Sequence, residues 1–195
     1  MRALVLVAHP CDDSFTHAAA RTAVDALRDA GHAVDVIDLY ADGFRAQMSL
    51  EERIAYETDD PIIDPQVADH AARLKSAEAL VFVYPTWWSG QPAILKGWLE
   101  RVMVPGVGFH LDERNKVVPG LRHVRRIVGI STYGSPRRYV WLTNDNGRRV
   151  IGRALRLSCG LSARTRWLAL YSIDAASDAD RQAFLERIAL RMARL

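Results

Sequence analysis

Cysteine is scarce in this sequence, and long apolar runs are absent. The two cysteines, Cys11 and Cys159, are too few for a disulfide framework and match no zinc-ligand spacing. A reducing, cytoplasmic setting is therefore the simplest interpretation. The apolar run at residues 3–8 is too short to span a membrane and lacks a signal-peptide cleavage pattern. We expect no transmembrane segment.

Two common nucleotide-binding fingerprints are also missing. The sequence contains neither GxGxxG nor GxxxxGKS, which mark the dinucleotide-binding dehydrogenases and the P-loop enzymes. It also shows no basic-aromatic RNA motif and no recognition-helix pattern. Nucleic acid is therefore not an expected partner.

Charge is divided unevenly along the chain. Residues 1–100 carry 8 Lys and Arg against 16 Asp and Glu, whereas residues 101–195 carry 18 against 7. A basic half attracts anions, such as a phosphorylated cofactor or an anionic membrane surface. The alternative is that most of these arginines lie on solvated helix faces.

The order of apolar patterns predicts an α/β fold. A chain of 195 residues has the size of one domain, so we expect a single domain over residues 1–195. Strands are predicted at 3–7, 33–39, 79–84, 124–131 and 166–171, and helices at 14–30, 64–76, 92–102, 150–158 and 177–194. Strands that alternate with helices predict a doubly wound parallel sheet. The connections at 40–63 and 104–123 are long enough to form lids, interfaces or cofactor walls.

Three loops are expected to converge on a ligand site. Ligands of open α/β sheets bind at the carboxyl ends of the strands, where the strand order reverses, which points to residues 8–16, 84–91 and 131–139. The first loop enters a helix, and its backbone amides with the Ser14 and Thr16 hydroxyls suit a phosphate. The alternative is an ordinary helix cap. Asp12 and Asp13 oppose an anion unless they point outward or cap the helix.

The second loop contains two adjacent tryptophans, Trp87 and Trp88. Indole is large and its N–H group needs a partner, so two neighbouring core tryptophans are unexpected in a Pro-bounded loop. A planar ligand would use them. The alternative places one under the following helix and the other in a subunit interface. Trp98, on that helix, is interpreted as a core residue.

Four separated motifs together resemble one family, the NAD(P)H:quinone oxidoreductases with the bacterial drug-activity modulators and potassium-efflux ancillary proteins. The most specific motif is PTWWSGQPAILKGWLERV at residues 85–102. AHPCDDSFT resembles the family's pyrophosphate loop, STYGSPRRY its flavin-edge loop, and YSIDAASDADR its C-terminal segment. The resemblance covers nearly the whole chain. It implies a flavodoxin-like, five-stranded parallel sheet in the order 2-1-3-4-5.

The resemblance implies a flavin site built from the three loops. The diphosphate or sugars would contact His9, Ser14, Phe15, Thr16 and Ala18. One wall of the ring site would be Pro85, Thr86, Trp87, Trp88 and Ser89, and the polar edge of the ring would meet Thr132, Tyr133, Gly134 and Ser135. Tyr133, Gly134 and Tyr139 would be catalytic, by stabilising charge on the reduced flavin.

The resemblance also implies a cofactor and a substrate side. Glu100, Arg181 and Leu185 match positions that hold the adenosine half of FAD, which favours FAD over FMN. Trp88, Phe109 and Leu111 would face the substrate, the last two across the interface of a homodimer. The sequence departs from the family in three places. Ser135 replaces a glycine, residues 143–145 replace a catalytic histidine, and Phe109 and Leu111 replace two tyrosines.

The activity that the resemblance implies is hydride transfer from NAD(P)H through flavin to a small-molecule acceptor, with ping-pong kinetics. Because of these departures, we expect the preference among electron acceptors to differ from that of the family. Two other classes stay open. One is a flavin-binding regulatory subunit of an ion-efflux system, in which the basic half would dock on a membrane partner. The other is a flavodoxin-type electron carrier, which the basic charge disfavours.

Overall fold

The computed structural model describes residues 1–195. Five strands form the main sheet: β1 (Arg2–Val7), β2 (Ala33–Asp38), β3 (Ala79–Thr86), β6 (Arg126–Tyr133) and β7 (Arg164–Leu170). A separate antiparallel hairpin contains β4 (Phe109–Leu111) and β5 (Val117–Pro119). The helices are α1 (Phe15–Asp29), α2 (Leu50–Ala55), α3 (Pro65–Ser76), α4 (Ala93–Val102), α5 (Arg137–Leu142), α6 (Asn146–Arg149), α7 (Arg156–Cys159) and α8 (Asp178–Met192). A π-helical turn, Val150–Leu155, joins α6 to α7.

All strands of the main sheet are parallel, and their order is β2-β1-β3-β6-β7. The short hairpin takes the numbers four and five, so this is the expected order 2-1-3-4-5. The predicted flavodoxin-like fold class is therefore confirmed.

The sheet is buried between two apolar layers. Leu4 and Leu6 of β1 belong to the cluster under α3, α4 and the helical stretch 146–159. Val5 and Val7 alternate onto the other face, under α1 and α8. This alternation follows from the two-residue period of a strand. None of the helices is both long and apolar enough to cross a membrane.

The two long connections contain short elements that the sequence patterns did not predict. Residues 40–63 include α2, which begins at a capping box in which Ser49 and Glu52 bond reciprocally. Residues 104–123 include the β4–β5 hairpin. Residues 137–142, where no helix pattern was found, form α5. Elements of three to six residues are too short to show a hydrophobic period, although the Ser-x-x-Glu pair was a readable signal.

A buried arginine on α4 fastens the first long connection to the body of the fold. Arg101 is 2% exposed. Its guanidinium lies 2.6 Å from a Glu52 carboxylate oxygen and 2.7 Å from one of Asp64, and it donates to the Arg45 carbonyl. Removing one partner of such a buried pair is strongly destabilising because the other charge stays behind unpaired. The backbone of α4 also lies very close to the backbone of this connection. A Cβ atom on Gly97 would lie 2.1 Å from the Ala46 carbonyl oxygen.

We therefore expect Gly97→Ala to destabilise the protein by about 1–3 kcal/mol, because backbone must shift to admit the methyl group. Gly152→Ala is the matched control, since a Cβ atom there meets nothing within 4 Å. Urea unfolding of both variants measures the difference. A Gly97→Ala protein as stable as Gly152→Ala would contradict the packing described here.

Candidate functional site

The site lies where the strand order reverses. β1 pairs with β2 on one side and β3 on the other, and β6 follows β3, so the carboxyl ends of β1, β3 and β6 are neighbours. The Ala8 amide donates to the Val83 carbonyl at 3.1 Å. Beyond this hydrogen bond, the loops that follow β1 and β3 separate. The three loops that the sequence singled out begin at these ends. The sheet therefore brings them together as expected.

A cavity of about 230 Å³ opens between the second and third loops. Its lining comes from the ends of β3 and β6, the loops after them, α5 and the turn that follows α5. The lining residues are Thr86, Trp88, Ser89, Tyr133, Gly134, Ser135, Tyr139, Val140, Thr143 and Asp145. The first seven are residues that the sequence predicted for a flavin site.

Trp88 is displayed on a strained turn. The Trp87 and Gly90 backbones exchange two hydrogen bonds of 3.1 and 3.0 Å, and the residues between them, Trp88 and Ser89, have φ of 47° and 59°. This is the geometry of a type I′ turn, which normally selects Asn and Gly. A non-glycine residue pays about 1–2 kcal/mol for this conformation. The Trp88 side chain is 102% exposed, so intrachain packing does not offset that cost.

The other residues of the second loop take different positions. Trp87 is 41% exposed, and its ring lies 5.8 Å from that of His9. The Thr86 hydroxyl is 2.9 Å from the Ser131 hydroxyl. Pro85 is buried in β3 opposite Thr132 of β6, which is 8% exposed. Thus only part of the predicted ring wall presents side chains to the cavity.

The first loop leaves free donors at the start of α1. Ser14 caps the helix by accepting from the His17 amide. The amides of Phe15 and Thr16 donate to no acceptor in the chain. Asp12 and Asp13 are exposed, and neither caps the helix. These amides at the positive end of a 15-residue helix dipole suit an anion.

Two histidine contacts fix the same loop. The His9 Nδ1 atom accepts from the Cys11 amide at 3.0 Å, and the His17 Nε2 atom lies 3.1 Å from the His9 carbonyl. His9 and Ala18 are half-buried beside the loop. His9 therefore shapes the loop through its own backbone.

Below the third loop lies a hydrogen-bonded chain that the sequence did not reveal. The Trp167 indole donates to the Tyr133 hydroxyl at 2.9 Å, and this hydroxyl donates to Asp145 Oδ1 at 3.0 Å. The Tyr133 ring also stacks on Tyr171, with ring centroids 4.9 Å apart. A Cβ atom on Gly129 would lie 1.9 Å from the Trp167 ring, so glycine there makes room for the indole. Tyr133 thus forms the base of the cavity.

Asp145 lines the cavity from a left-handed conformation, with φ 41°. Desolvation raises its pKa above the ordinary 3.8, against opposing hydrogen bonds from Tyr133 and the Arg148 amide. Burial, followed by the Asp145 charge, raises the pKa of Tyr133 well above its usual range. Asp145 therefore holds its proton to higher pH than an exposed aspartate. It stands in the segment where the resemblance expected a histidine.

Tyr139 lines the same cavity from α5. It is 48% exposed, and its side chain makes no hydrogen bond within the chain. The amides of Trp88, Ser89, Gly134 and Ser135 also donate to no acceptor in the chain. A cavity bordered by free donors and an exposed indole has what an electron-rich planar ligand requires.

The predicted adenosine residues do not come together in one chain. Arg181 and Leu185 lie on α8, next to the start of α1, where Phe15 packs on Phe184 with ring centroids 6.2 Å apart. Glu100 lies on α4, on the opposite face of the sheet, and is paired with Lys96. The three residues therefore cannot form one site within a chain. The resemblance matched these residues to family positions along the sequence, and such a match does not show which face of the sheet each residue occupies.

The predicted substrate residues are also separate from the cavity. Phe109 is half-buried and Leu111 is 56% exposed, and both lie on the β4–β5 hairpin. Neither lines the cavity in this chain.

Comparison with known proteins agrees with this architecture. The family model described as "Flavodoxin-like fold" matches residues 1–189, so the chain belongs to that family. The resemblance to quinone oxidoreductases is also confirmed. An NAD(P)H:quinone oxidoreductase from Methanothermobacter marburgensis has 28% identity and a TM-score of 0.82, covering 100% of this chain and 96% of that one. Smu.1420 from Streptococcus mutans has 25% identity and a TM-score of 0.81, with 100% of both chains covered.

A sequence relative points to the same family. NAD(P)H dehydrogenase [quinone] 1 of Rattus norvegicus is 31% identical over 155 aligned positions, and the match covers 71% of this chain and 56% of that protein. The chain spans about half the length of the first relatives it matches by sequence.

The Trp88 turn predicts a stabilising substitution. Trp88→Gly should raise the free energy of unfolding by about 0.5–1 kcal/mol, because relief of left-handed strain exceeds the extra entropy of glycine in the unfolded chain. Ser89→Gly is the control, since it relieves the same kind of strain and keeps the indole. Denaturant unfolding of ligand-free protein measures both. A clear loss of stability in Trp88→Gly alone would mean that the indole packs in the fold.

Asp145 predicts a pH-dependent difference. Its raised pKa means that folding favours the protonated carboxyl, so the wild type loses stability as pH rises from 3.8 through the raised pKa. Asp145→Asn keeps an acceptor for Tyr133 and tolerates the left-handed backbone. We expect a higher Tm than wild type at pH 7 and no difference at pH 3. The exposed control Asp13→Asn should follow wild type, and a gap that grows on acidification would refute the assignment.

Proposed function

We propose that the protein is a flavin-dependent NAD(P)H:acceptor oxidoreductase of the quinone type, with residues 1–195 as one flavin-binding domain. The observation that carries the proposal is the cavity at the strand reversal. There the exposed Trp88 indole, the Tyr139 hydroxyl and the free amides of the second and third loops meet. The neighbouring strand β1 leads into the start of α1, where the free amides of Phe15 and Thr16 suit an anion. Planar rings bearing an anionic tail fit this combination of surfaces.

The residues present fit a flavin. The free amides of Phe15 and Thr16 would hold its phosphate, with the Ser14 and Thr16 hydroxyls beside them. The ring would lie against Trp88, with its polar edge toward the amides of Gly134 and Ser135. FAD is supported by Arg181, whose Nε atom is buried without a hydrogen-bond partner near the same helix start. Glu100 would join an FAD site only across a subunit interface; otherwise Arg181 and Leu185 serve it alone.

Bound flavin supplies the hydride and electron chemistry. The chain's own residues set the electrostatics around it. The Gly134 and Ser135 amides and the Tyr139 hydroxyl would donate hydrogen bonds to the polar edge of a bound flavin and favour negative charge there, in the manner of an oxyanion hole. Pre-oriented donors of this kind need no reorganisation during the reaction.

Asp145 is the residue we assign to proton handling. It lines the cavity, its pKa is raised by burial, and it accepts from the Tyr133 hydroxyl through Oδ1. Its second oxygen is left to carry the proton that an acceptor takes up when reduced. A carboxyl whose pKa is raised by burial keeps its proton to higher pH than an exposed carboxyl, which favours a role as a proton donor. It would replace the family's histidine.

A homodimer is supported by apolar side chains exposed around the cavity. These are Trp87 and Leu142, which are 41% and 73% exposed and do not line the cavity. Exposed apolar surface of this kind marks interaction sites. In such a dimer, Phe109 and Leu111 would reach the other subunit's cavity and face the acceptor. A cytoplasmic location is part of the same proposal, since a pyridine nucleotide would be the reductant.

A second candidate is a flavin-binding regulatory subunit of an ion-efflux system. The observation in its favour is that no arginine after Arg101 forms an ion pair, which leaves a basic surface free to dock. The two functions differ in turnover. We expect purified protein to release FAD on heating and to oxidise NADPH with a soluble quinone, giving parallel double-reciprocal lines. Bound flavin without turnover would favour the regulatory role, and absence of flavin would refute both.

Tyr139→Phe should slow flavin reduction by NADPH roughly tenfold, which is about 1.4 kcal/mol. The change removes one donor and keeps the ring. The loss stays small because the Gly134 and Ser135 amides remain. Anaerobic stopped-flow absorbance isolates this half-reaction. Full flavin content with an unchanged rate would remove Tyr139 from the mechanism.

A further inference from the structure

A second, larger cleft lies beside the candidate flavin cavity. Its volume is about 560 Å³, and it lies between α5, the helical stretch 146–159 and the edge strand β7. Five of its twelve lining residues are arginines, and Asp145 is its one carboxylate. The arginines are Arg137, Arg148, Arg149, Arg153 and Arg156.

None of these arginines forms an ion pair, although the Arg148 charge acts on Asp145, the one carboxylate of the cleft. Every ion pair within 4 Å in the protein involves residues up to Arg101, and none involves this cleft. The Arg137, Arg148, Arg149 and Arg153 guanidinium groups also make no hydrogen bond within the chain. Like charges gathered in a concavity repel each other and concentrate anions. This sets the cleft apart from arginines on an open helix face.

The helical backbone arranges the arginines along one side. Arg149, Arg153 and Arg156 are spaced four and three residues apart across the π-helical turn, and π turns often occur at functional sites. Arg156 is fixed by donating to the Ala163 and Leu161 carbonyls. Guanidinium groups pair with phosphate through two parallel hydrogen bonds. A ligand with several phosphates suits this set.

The cleft and the flavin cavity are adjacent, since Val140 and Asp145 line both. One ligand could therefore place a planar head in the cavity and phosphates in the cleft. Trp141, which is 81% exposed and lines the cleft, offers an indole face to a base. Reduced pyridine dinucleotides combine a planar hydride donor, a diphosphate and an adenine base.

We propose that this arginine cleft binds the phosphates of the reduced dinucleotide and makes the protein prefer NADPH to NADH. The inference rests on the proposed function. The 2′-phosphate of NADPH adds negative charge that NADH lacks, and five arginines exceed what a diphosphate alone requires. Arg149 and Arg153 would contribute through their free guanidinium groups.

The first test measures binding without turnover. Isothermal titration calorimetry compares adenosine 2′,5′-bisphosphate with ADP on wild type, on Arg149→Gln/Arg153→Gln, and on the control Arg138→Gln. Arg138 is exposed on α5 and does not line the cleft. The double variant should bind the bisphosphate about tenfold or more weakly, as expected for losing a hydrogen bond to a charged group. Equal affinity in wild type and double variant, or an equal loss in Arg138→Gln, would overturn the proposal.

The second test follows turnover with three reductants. The double variant should raise KM about tenfold for NADPH and less for NADH. N-methyl-dihydronicotinamide, which has no phosphate, should keep its kcat and KM. Equal effects on NADPH and NADH would refute the preference. If wild type oxidises none of the three, the proposed function fails, while the calorimetry still decides whether the cleft binds the bisphosphate.

A membrane partner is the competing use of the same charge. Vesicles of phosphatidylglycerol and phosphatidylcholine, sedimented with each variant, test it. Loss of vesicle binding in the double variant, with unchanged affinity for the bisphosphate, would assign the cleft to a membrane surface and overturn the proposal.

Discussion

The parallel pairing of β1 with β3, and of β3 with β6, is the constraint on which the rest of the molecule depends. These strands are buried on both faces, so their register is fixed by two apolar layers at once. The chain passes from β1 to β2 on one side of β1 and then returns to β3 on the other side, next to which β6 is added. The carboxyl ends of β1, β3 and β6 therefore lie side by side. The site is a consequence of this topology, and its loops need no long-range contacts of their own to meet.

Strain in the backbone is concentrated where those ends meet. Of six non-glycine residues with positive φ, Trp88, Ser89, Asn144 and Asp145 belong to the loops around the cavity. Such conformations each cost free energy and persist only where neighbouring structure imposes them. Beneath them, the Trp167–Tyr133–Asp145 hydrogen bonds tie β7, β6 and the turn after α5 together. The sheet thus supports loops whose conformations are destabilising in themselves, because they expose the Trp88 indole and bury the Asp145 carboxyl.

The sequence predicted the long elements well and the short ones poorly. Apolar runs marked the inner strands β1, β3 and β6 because buried parallel strands have few polar residues. The edge strands β2 and β7 were predicted from shorter apolar segments that include polar residues. By contrast, α2, α5 and the β4–β5 hairpin are too short to show a period. The first loop was found from Ser14 and Thr16, and Trp98 is buried in the core as expected, with 0% exposure.

Residue roles were harder to predict than elements. Glu100 was grouped with Arg181 by resemblance, yet the sheet separates them, and a linear match carries no information about faces. Asp145 was missed because the segment was compared only with a histidine that it lacks. The sequence did contain a sign of its role, because Asp145 is an acidic residue in a polar turn that precedes a helix. The basic charge of the second half was counted correctly, but only the fold shows that five arginines share one cleft.

The proposed function depends on whether the cavity at the strand reversal holds the ring of a bound flavin. A crystal structure of the protein purified with its flavin tests this most directly. We expect the ring to lie against Trp88, with its polar edge at the Gly134 and Ser135 amides and a phosphate at the amides of Phe15 and Thr16. A ring bound elsewhere, or protein that binds neither FAD nor FMN, would contradict it.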